Sequence, residues 1–156
     1  VNAEMNVFLQ KWVEDKLDPH TFVVELFAGE GNLTQKTDAE KKIMVDYFPE
    51  NKRLSSNQLS LNLYSNNALE MVLKRLKDVA LAKTLVLDPP RSGIKNLPDW
   101  VEKLGIKEII YVSCNPQTLK RDLETLRPRI KEIQINGIDL FPGTYHLEVV
   151  SHIILH

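Results

Sequence analysis

At 156 residues, with 43% hydrophobic and 26% charged residues, the chain has the make-up of a single globular domain rather than a disordered or fibrous segment. It has no apolar run near the ~20 residues that span a bilayer and no basic-then-apolar leader, so a cytoplasmic, non-membrane protein is expected. A net charge of −1, from 20 Lys+Arg against 21 Asp+Glu, excludes a domain that grips nucleic acid by bulk charge alone.

In chain order, Met5, Phe8, Leu9, Trp12 and Val13 recur at helical spacing and predict a helix over 4–16, stopped by Asp18-Pro19-His20. Residues 22–27 form a short apolar run that enters Ala28-Gly29-Glu30-Gly31, as a buried strand enters a Gly-rich turn. Residues 42–47 predict a second strand, 50–59 a short helix, 61–64 a third strand and 70–79 a helix. Residues 84–87 predict a fourth strand, ending in Asp88-Pro89-Pro90-Arg91-Ser92-Gly93. A helix over 97–104 and a fifth strand over 108–112 follow, the strand leading into Ser113-Cys114-Asn115-Pro116. Residues 117–127 predict a helix closed by Pro128, and 132–140 and 147–155 the last two strands. Strands alternating with helices give an α/β fold: a mainly parallel sheet with helices on both faces and an antiparallel C-terminal strand. No repeat or linker breaks the chain, so residues 1–156 read as one domain. Two stretches, 33–41 and 51–60, are too short and polar to make more than marginal helices.

In open α/β sheets, ligands sit at the carboxyl ends of the strands, and the notable residues fall there. The first strand ends in Phe27, Gly29, Gly31 and Asn32, where glycine permits a tight turn and close backbone approach. Asp46 ends the second strand, placed to accept hydrogen bonds from a ribose. Asn66-Asn67 is expected to end the third, where an amide can read an adenine edge. A dinucleotide fingerprint needs Gly or Ala three residues after Gly31, and Thr34 stands there. S-adenosylmethionine carries no pyrophosphate, so the missing glycine favours that cofactor. The basic clusters Lys74-Arg75-Leu76-Lys77 and Lys120-Arg121 read as solvated helix faces.

Two prolines after Asp88 cannot continue a strand ladder, so they stiffen the loop and hold the carboxylate at the pocket edge. Cys114 is the sole cysteine, which excludes an internal disulfide and a Cys-based metal cluster in this chain; no metal is expected. At a strand end beside the pocket it reads as a nucleophile, with the thiolate favoured by the helix that starts after it. Glu148 is either a surface carboxylate on a late strand or a general base reaching the same pocket.

These segments together resemble the RNA 5-methyluridine methyltransferases that modify tRNA and large-subunit ribosomal RNA. The resemblance lies in the Gly-x-Gly-Asn turn, in Asp88 to Gly93, in the run from Tyr111 to Asp122, and in the run from Asp139 to Glu148. It implies a Rossmann-like methyltransferase fold, S-adenosylmethionine as cofactor and a uridine in rRNA or tRNA as substrate. It further implies that Cys114 adds to carbon 6 of uracil, that Glu148 removes the carbon 5 proton and that Asp88 holds the uracil edge. Phe27, Gly29, Gly31, Asn32, Asp46, Asn67 and Asp88 would then line the cofactor site. Val1-Asn2 is similar to the end of a Gln-Val-Asn motif. The family's N-terminal RNA-binding part is absent from this sequence, which fits its near-neutral charge.

Three other readings stay open at this point. A dinucleotide-dependent oxidoreductase uses a similar sheet, although Thr34 argues against it. A non-catalytic RNA-binding module could keep the fold. Amino-group methylation also uses an acidic-Pro-Pro segment but needs no cysteine.

Overall fold

The computed structural model describes residues 3–139 and 142–156. Four helices, α1 (Ala3–Lys16), α2 (Ala68–Arg75), α3 (Leu97–Leu104) and α4 (Pro116–Glu124), accompany seven strands among these residues. The strands are β1 (Phe22–Leu26), β2 (Lys42–Asp46), β3 (Gln58–Ser60), β4 (Lys83–Leu87), β5 (Ile106–Ser113), β6 (Ile130–Ile138) and β7 (Glu148–Leu155). They form one sheet in the order β3-β2-β1-β4-β5-β7-β6. Strands β1 to β5 pair in parallel, and β7 runs antiparallel to both β5 and β6. The expected antiparallel C-terminal strand is therefore present, inserted between β5 and β6 rather than added outside them.

Alternation along each strand decides which face each side chain supplies. Val24, Leu26, Leu85, Leu87, Ile109, Tyr111 and Ile153 point to one face, where Val72, Trp100, Val101, Leu104, Leu119 and Leu123 of α2, α3 and α4 cover them. Val23, Val86, Ile110, Val112 and Val150 point to the other, against Leu9 and Val13 of α1 and Leu33. With both faces covered, the central strands read as mostly apolar runs, broken in β1 by the buried Glu25.

Two expectations need correction. Residues 50–59 form no helix, and the third strand lies at Gln58–Ser60 instead of 61–64. A three-residue edge strand with no buried residue, Gln58 and Leu59 half-buried and Ser60 exposed, has neither an apolar run nor a face to advertise it. The thin stretch 33–41 behaves as its composition suggests, with only two short 3-10 turns, Asn32–Thr34 and Ala39–Lys41. The second face is consequently roofed by one long helix and not by several.

Strand β7 carries one uncompensated polar group. The Ser151 hydroxyl is buried with no hydrogen-bond partner, between Tyr111 and Ile135 on the flanking strands. Ser151→Ala removes a desolvated group that gives nothing back, and is expected to raise stability by about 1 kcal/mol. For this chain length that is roughly 2–4 °C in Tm. A melt showing a clear loss instead would mean that the hydroxyl is satisfied in solution.

Candidate active site

Strand order reverses between β1 and β4, so the crevice at their carboxyl ends is the natural ligand position. Phe27 follows β1 in a left-handed conformation, φ 60°, unusual for a residue with a Cβ. The turn after it closes by a bond from the Gly31 amide to the Ala28 carbonyl, 2.8 Å. Gly31 holds a left-handed φ of 77° that strains any side chain, and a Cβ there would lie 2.4 Å from Met44 Sδ, which would have to move aside. Asp46 at the end of β2 holds this turn: its Oδ2 accepts from the Gly29 amide and its Oδ1 from the Tyr47 amide, each at 2.7 Å. A carboxylate has about four acceptor positions, so two remain for a ligand. Asn32 is exposed beside the turn.

Asn67 does not end β3, contrary to expectation. It takes the N-cap position of α2 without a side-chain capping bond, beyond a loop over 61–67, and its side-chain carbonyl accepts from Ser65 Oγ at 2.9 Å. The loop still leaves the carboxyl end of β3, so Asn67 stays on the ligand side of the sheet.

Beneath the turn lies a buried group that the sequence motifs did not flag. Glu25, the penultimate residue of β1, is 1% exposed and accepts a hydrogen bond from the Thr34 hydroxyl. Lys42 Nζ donates to the Thr34 carbonyl at 2.7 Å. Burial pushes the Glu25 carboxyl up to about 7, against the pull of Thr34 and Lys42. Thr34, which stood out only as a missing glycine, thus ties the Gly-rich turn to the sheet.

Asp88 leaves β4 into the crevice, its amide 3.5 Å from the Leu26 carbonyl. Solvent reaches this side chain, yet enough protein crowds it that desolvation, ahead of the charges of Glu148 and Asp46, pushes it up to about 7. Cys114 is exposed just past β5. Asn115 caps α4, its Oδ1 accepting from the Gln117 and Thr118 amides at 3.2 and 3.4 Å. The β5–β7 register pairs Val112 with Val150 and Ser113 with Val149, so β7 begins with Glu148 beside the point where Cys114 leaves β5. Glu148 is half-buried, and desolvation raises its carboxyl above the ordinary range. One crevice edge therefore gathers Asp46, Asp88, Cys114 and Glu148 from four strand ends.

The Asp88 loop and the Cys114 helix are stapled together. Thr118 Oγ1 and Asn115 Nδ2 donate to the Arg91 carbonyl at 2.8 and 3.3 Å, and Arg121 Nη2 to the Ser92 carbonyl at 2.8 Å. Asp122, 3% exposed, accepts from the Ile94 amide at 3.1 Å, the Tyr111 hydroxyl at 2.6 Å and Arg121 Nε at 3.0 Å. Burial and the bond to Asp122 push the Tyr111 phenol well above its ordinary range. Arg121 therefore keeps the solvated position its cluster suggested, 58% exposed, and also clasps the Asp88 loop. Arg75 also has a specific partner, the Ser56 carbonyl. The segments over 1–2 and 140–141, which carry part of two motifs, lie outside the described residues.

With the geometry established, three comparisons bear on kinship. The family profile described as tRNA (uracil-5-)-methyltransferase matches residues 49–155. An uncharacterized RNA methyltransferase of Clostridium acetobutylicum is 36% identical over 82% of this chain and 30% of its own. The 23S rRNA (uracil(1939)-C(5))-methyltransferase RlmD of Vibrio cholerae is 34% identical over 97% of this chain and 36% of its own. The chain thus spans about a third of the length of these relatives. Among solved structures, the Pyrococcus abyssi tRNA (uracil-54, C5)-methyltransferase in complex with S-adenosyl-L-homocysteine superposes with a TM-score of 0.65 at 23% identity. That match covers 99% of this chain and 39% of the other. A putative ribosomal RNA methyltransferase of Plasmodium falciparum superposes at 0.60 with 10% identity, covering 100% and 98%. Both structures share the fold.

Proposed function

Because the chain belongs to the tRNA (uracil-5-)-methyltransferase family, we propose that this crevice methylates carbon 5 of a uridine in RNA, drawing the methyl group from S-adenosylmethionine. The observation that carries the reading is the meeting of Cys114, Glu148 and Asp88, brought from three strand ends by the β5–β7 register and the staple of α4.

The residues fit the cofactor on two counts. Asp46, with two acceptor positions to spare, suits ribose hydroxyls, and the Asn67 amide suits an adenine edge. Phe27, Gly29, Gly31 and Asn32 would line the same half, with Asp88 at its inner end. The crevice is also acidic in make-up, with Glu148 and Asp46 each acting on Asp88, and Asp46 and Asp88 on Glu25. Such a field favours a cationic ligand over a neutral or anionic one. When bound, S-adenosylmethionine supplies an electrophilic methyl on a sulfonium to carbon 5.

Carbon 5 of uracil is too weak a nucleophile for this unaided. The Cys114 thiolate adds to carbon 6, forming the S–C6 bond and moving the C5–C6 π pair into an enolate that makes carbon 5 nucleophilic. Asp88 holds the uracil edge. Once carbon 5 is methylated, Glu148 takes the remaining C5 proton. The electrons of that C–H bond re-form the C5–C6 double bond, and the S–C6 bond breaks to return the thiolate. The target base must leave its stack to reach such a crevice.

The test is direct. RNA transcripts incubated with the complete protein and methyl-labelled S-adenosylmethionine, then digested to nucleosides, should carry the label in 5-methyluridine. Label on an exocyclic amine or on ribose, or none at all, would overturn the reading. The pH profile carries a second signature. Glu148 must be ionised to act and burial raises its carboxyl. The rate should therefore fall, as pH is lowered, earlier than an ordinary carboxylate would allow.

A further inference from the structure

Tyr64 belongs to none of the motifs, yet it is engaged at both ends. It stands in the loop between β3 and α2, 39% exposed. Its ring packs against Phe27, centroids 5.7 Å apart and planes inclined at 49°. Its hydroxyl lies 3.0 Å from Ser92 Oγ and donates to the Gly93 carbonyl at 3.3 Å. Phe27 holds the left-handed conformation that opens the Gly-rich turn, which a contact from outside the turn helps to keep. At the other end, Ser92 is bonded to Arg121, and Gly93 is wedged so tightly onto α4 that a Cβ would lie 2.4 Å from both Asp122 and Thr118. A continuous line of contacts thus runs from the Gly-rich turn, through Tyr64, to the helix that begins just after Cys114.

We propose that Tyr64 is a positioning residue that couples the two halves of the crevice, tying the turn that would receive the cofactor to the loop and helix that set Asp88 and Cys114. The proposal rests on the methyltransfer reading above. It divides the side chain by task. The ring supports the cofactor half and the hydroxyl transmits to the base half. Filling the cofactor half should then alter the setting of Cys114, and the hydroxyl should be required for that response.

The experiment follows the alkylation rate of Cys114 by iodoacetamide, located by peptide mass, in the complete protein with and without S-adenosylhomocysteine. Calorimetry gives the affinity of the same ligand. In the unaltered protein, saturating ligand is expected to change the alkylation rate several-fold. Tyr64→Phe keeps the ring, so affinity should stay within about twofold, while the response of Cys114 to ligand largely disappears and kcat falls about 2–10-fold, the scale of one hydrogen bond. Tyr64→Leu should also weaken ligand binding by a few-fold, as expected for loss of an aromatic pair. Ser92→Ala in the Tyr64→Phe background should add little, because the two hydroxyls serve one contact. Melting temperatures report any merely structural effect separately.

The proposal is overturned if Tyr64→Phe keeps both the Cys114 response and the unaltered kcat, or if ligand leaves Cys114 unchanged in the unaltered protein. It is equally overturned if Tyr64→Phe weakens ligand as much as Tyr64→Leu does. Absence of S-adenosylhomocysteine binding by the unaltered protein would sink the cofactor reading, and the coupling with it. A coupled Cys114 without methyl transfer to RNA would leave the coupling standing and refute the reaction.

Discussion

Cys114→Ala is expected to abolish methyl transfer, by roughly 10⁴-fold or more on the scale of removing a covalent nucleophile, while cofactor affinity stays within about twofold of the unaltered protein. In the proposed reaction the thiol would act on the base, and the cofactor would be held by Asp46, Asn67 and the Gly-rich turn, away from the thiol. Glu148→Gln separates the steps. The amide matches the carboxylate in shape but cannot accept a proton, so addition and methylation proceed and elimination stalls. A covalent protein–RNA adduct that survives denaturing electrophoresis should accumulate with labelled RNA. Normal turnover by Glu148→Gln, or activity retained by Cys114→Ala, would show that the roles are wrongly drawn. Loss of activity without any adduct would place Glu148 before the methylation step.

Asp122→Ala is expected to give the largest loss of stability. The carboxylate is 3% exposed and answers two buried donors, the Ile94 amide and the Tyr111 hydroxyl, besides the more exposed Arg121. Arg121 can turn to water, but the other two cannot. Each orphaned donor costs about 1–3 kcal/mol, so the variant should lose about 2–6 kcal/mol. At roughly 2–4 °C of Tm per kcal/mol for this size, the fall should be obvious in a thermal melt. Tyr111→Phe removes one of the orphans, so it should cost less in the Asp122→Ala background than alone. Strict additivity of the two, or a loss below about 1 kcal/mol for Asp122→Ala, would mean the network is not a unit. The same variant should also lower activity, since Asp122 holds the Asp88 loop against the helix that starts beyond Cys114.

The sequence alone carried the secondary structure wherever burial was complete. Residues 22–27, 84–87 and 108–112 are apolar runs because both faces of the sheet are covered, and β1, β4 and β5 lie there. The helix over 97–104 showed its face through Leu97, Trp100, Val101 and Leu104, all buried. The same reasoning failed at 50–64, where the strand is short, half-exposed and at the sheet edge. There no face is consistently buried, so composition has no period to display.

The candidate site divides in the same way. Phe27, the glycines, Asp46, Asp88 and Cys114 were legible because each lies at or just past the carboxyl end of a strand, where open α/β sheets place their ligands. What brings Glu148 to Cys114 is the antiparallel register of β7 against β5, a partnership between segments distant in the chain that no local pattern encodes. Tyr64, Glu25 and Lys42 were silent for a related reason, and Thr34, Tyr111 and Asp122, though they stand in quoted segments, gave no sign of the bonds they make. Each is an ordinary residue type whose meaning comes from a partner on another element. Local burial and turn chemistry are written into neighbouring residues, so every strand but β3, the Gly-rich turn and the reactive side chains could be read along the chain. Pairing across the sheet and between loops depends on which distant segments pack together. That packing sets which of those side chains share one crevice.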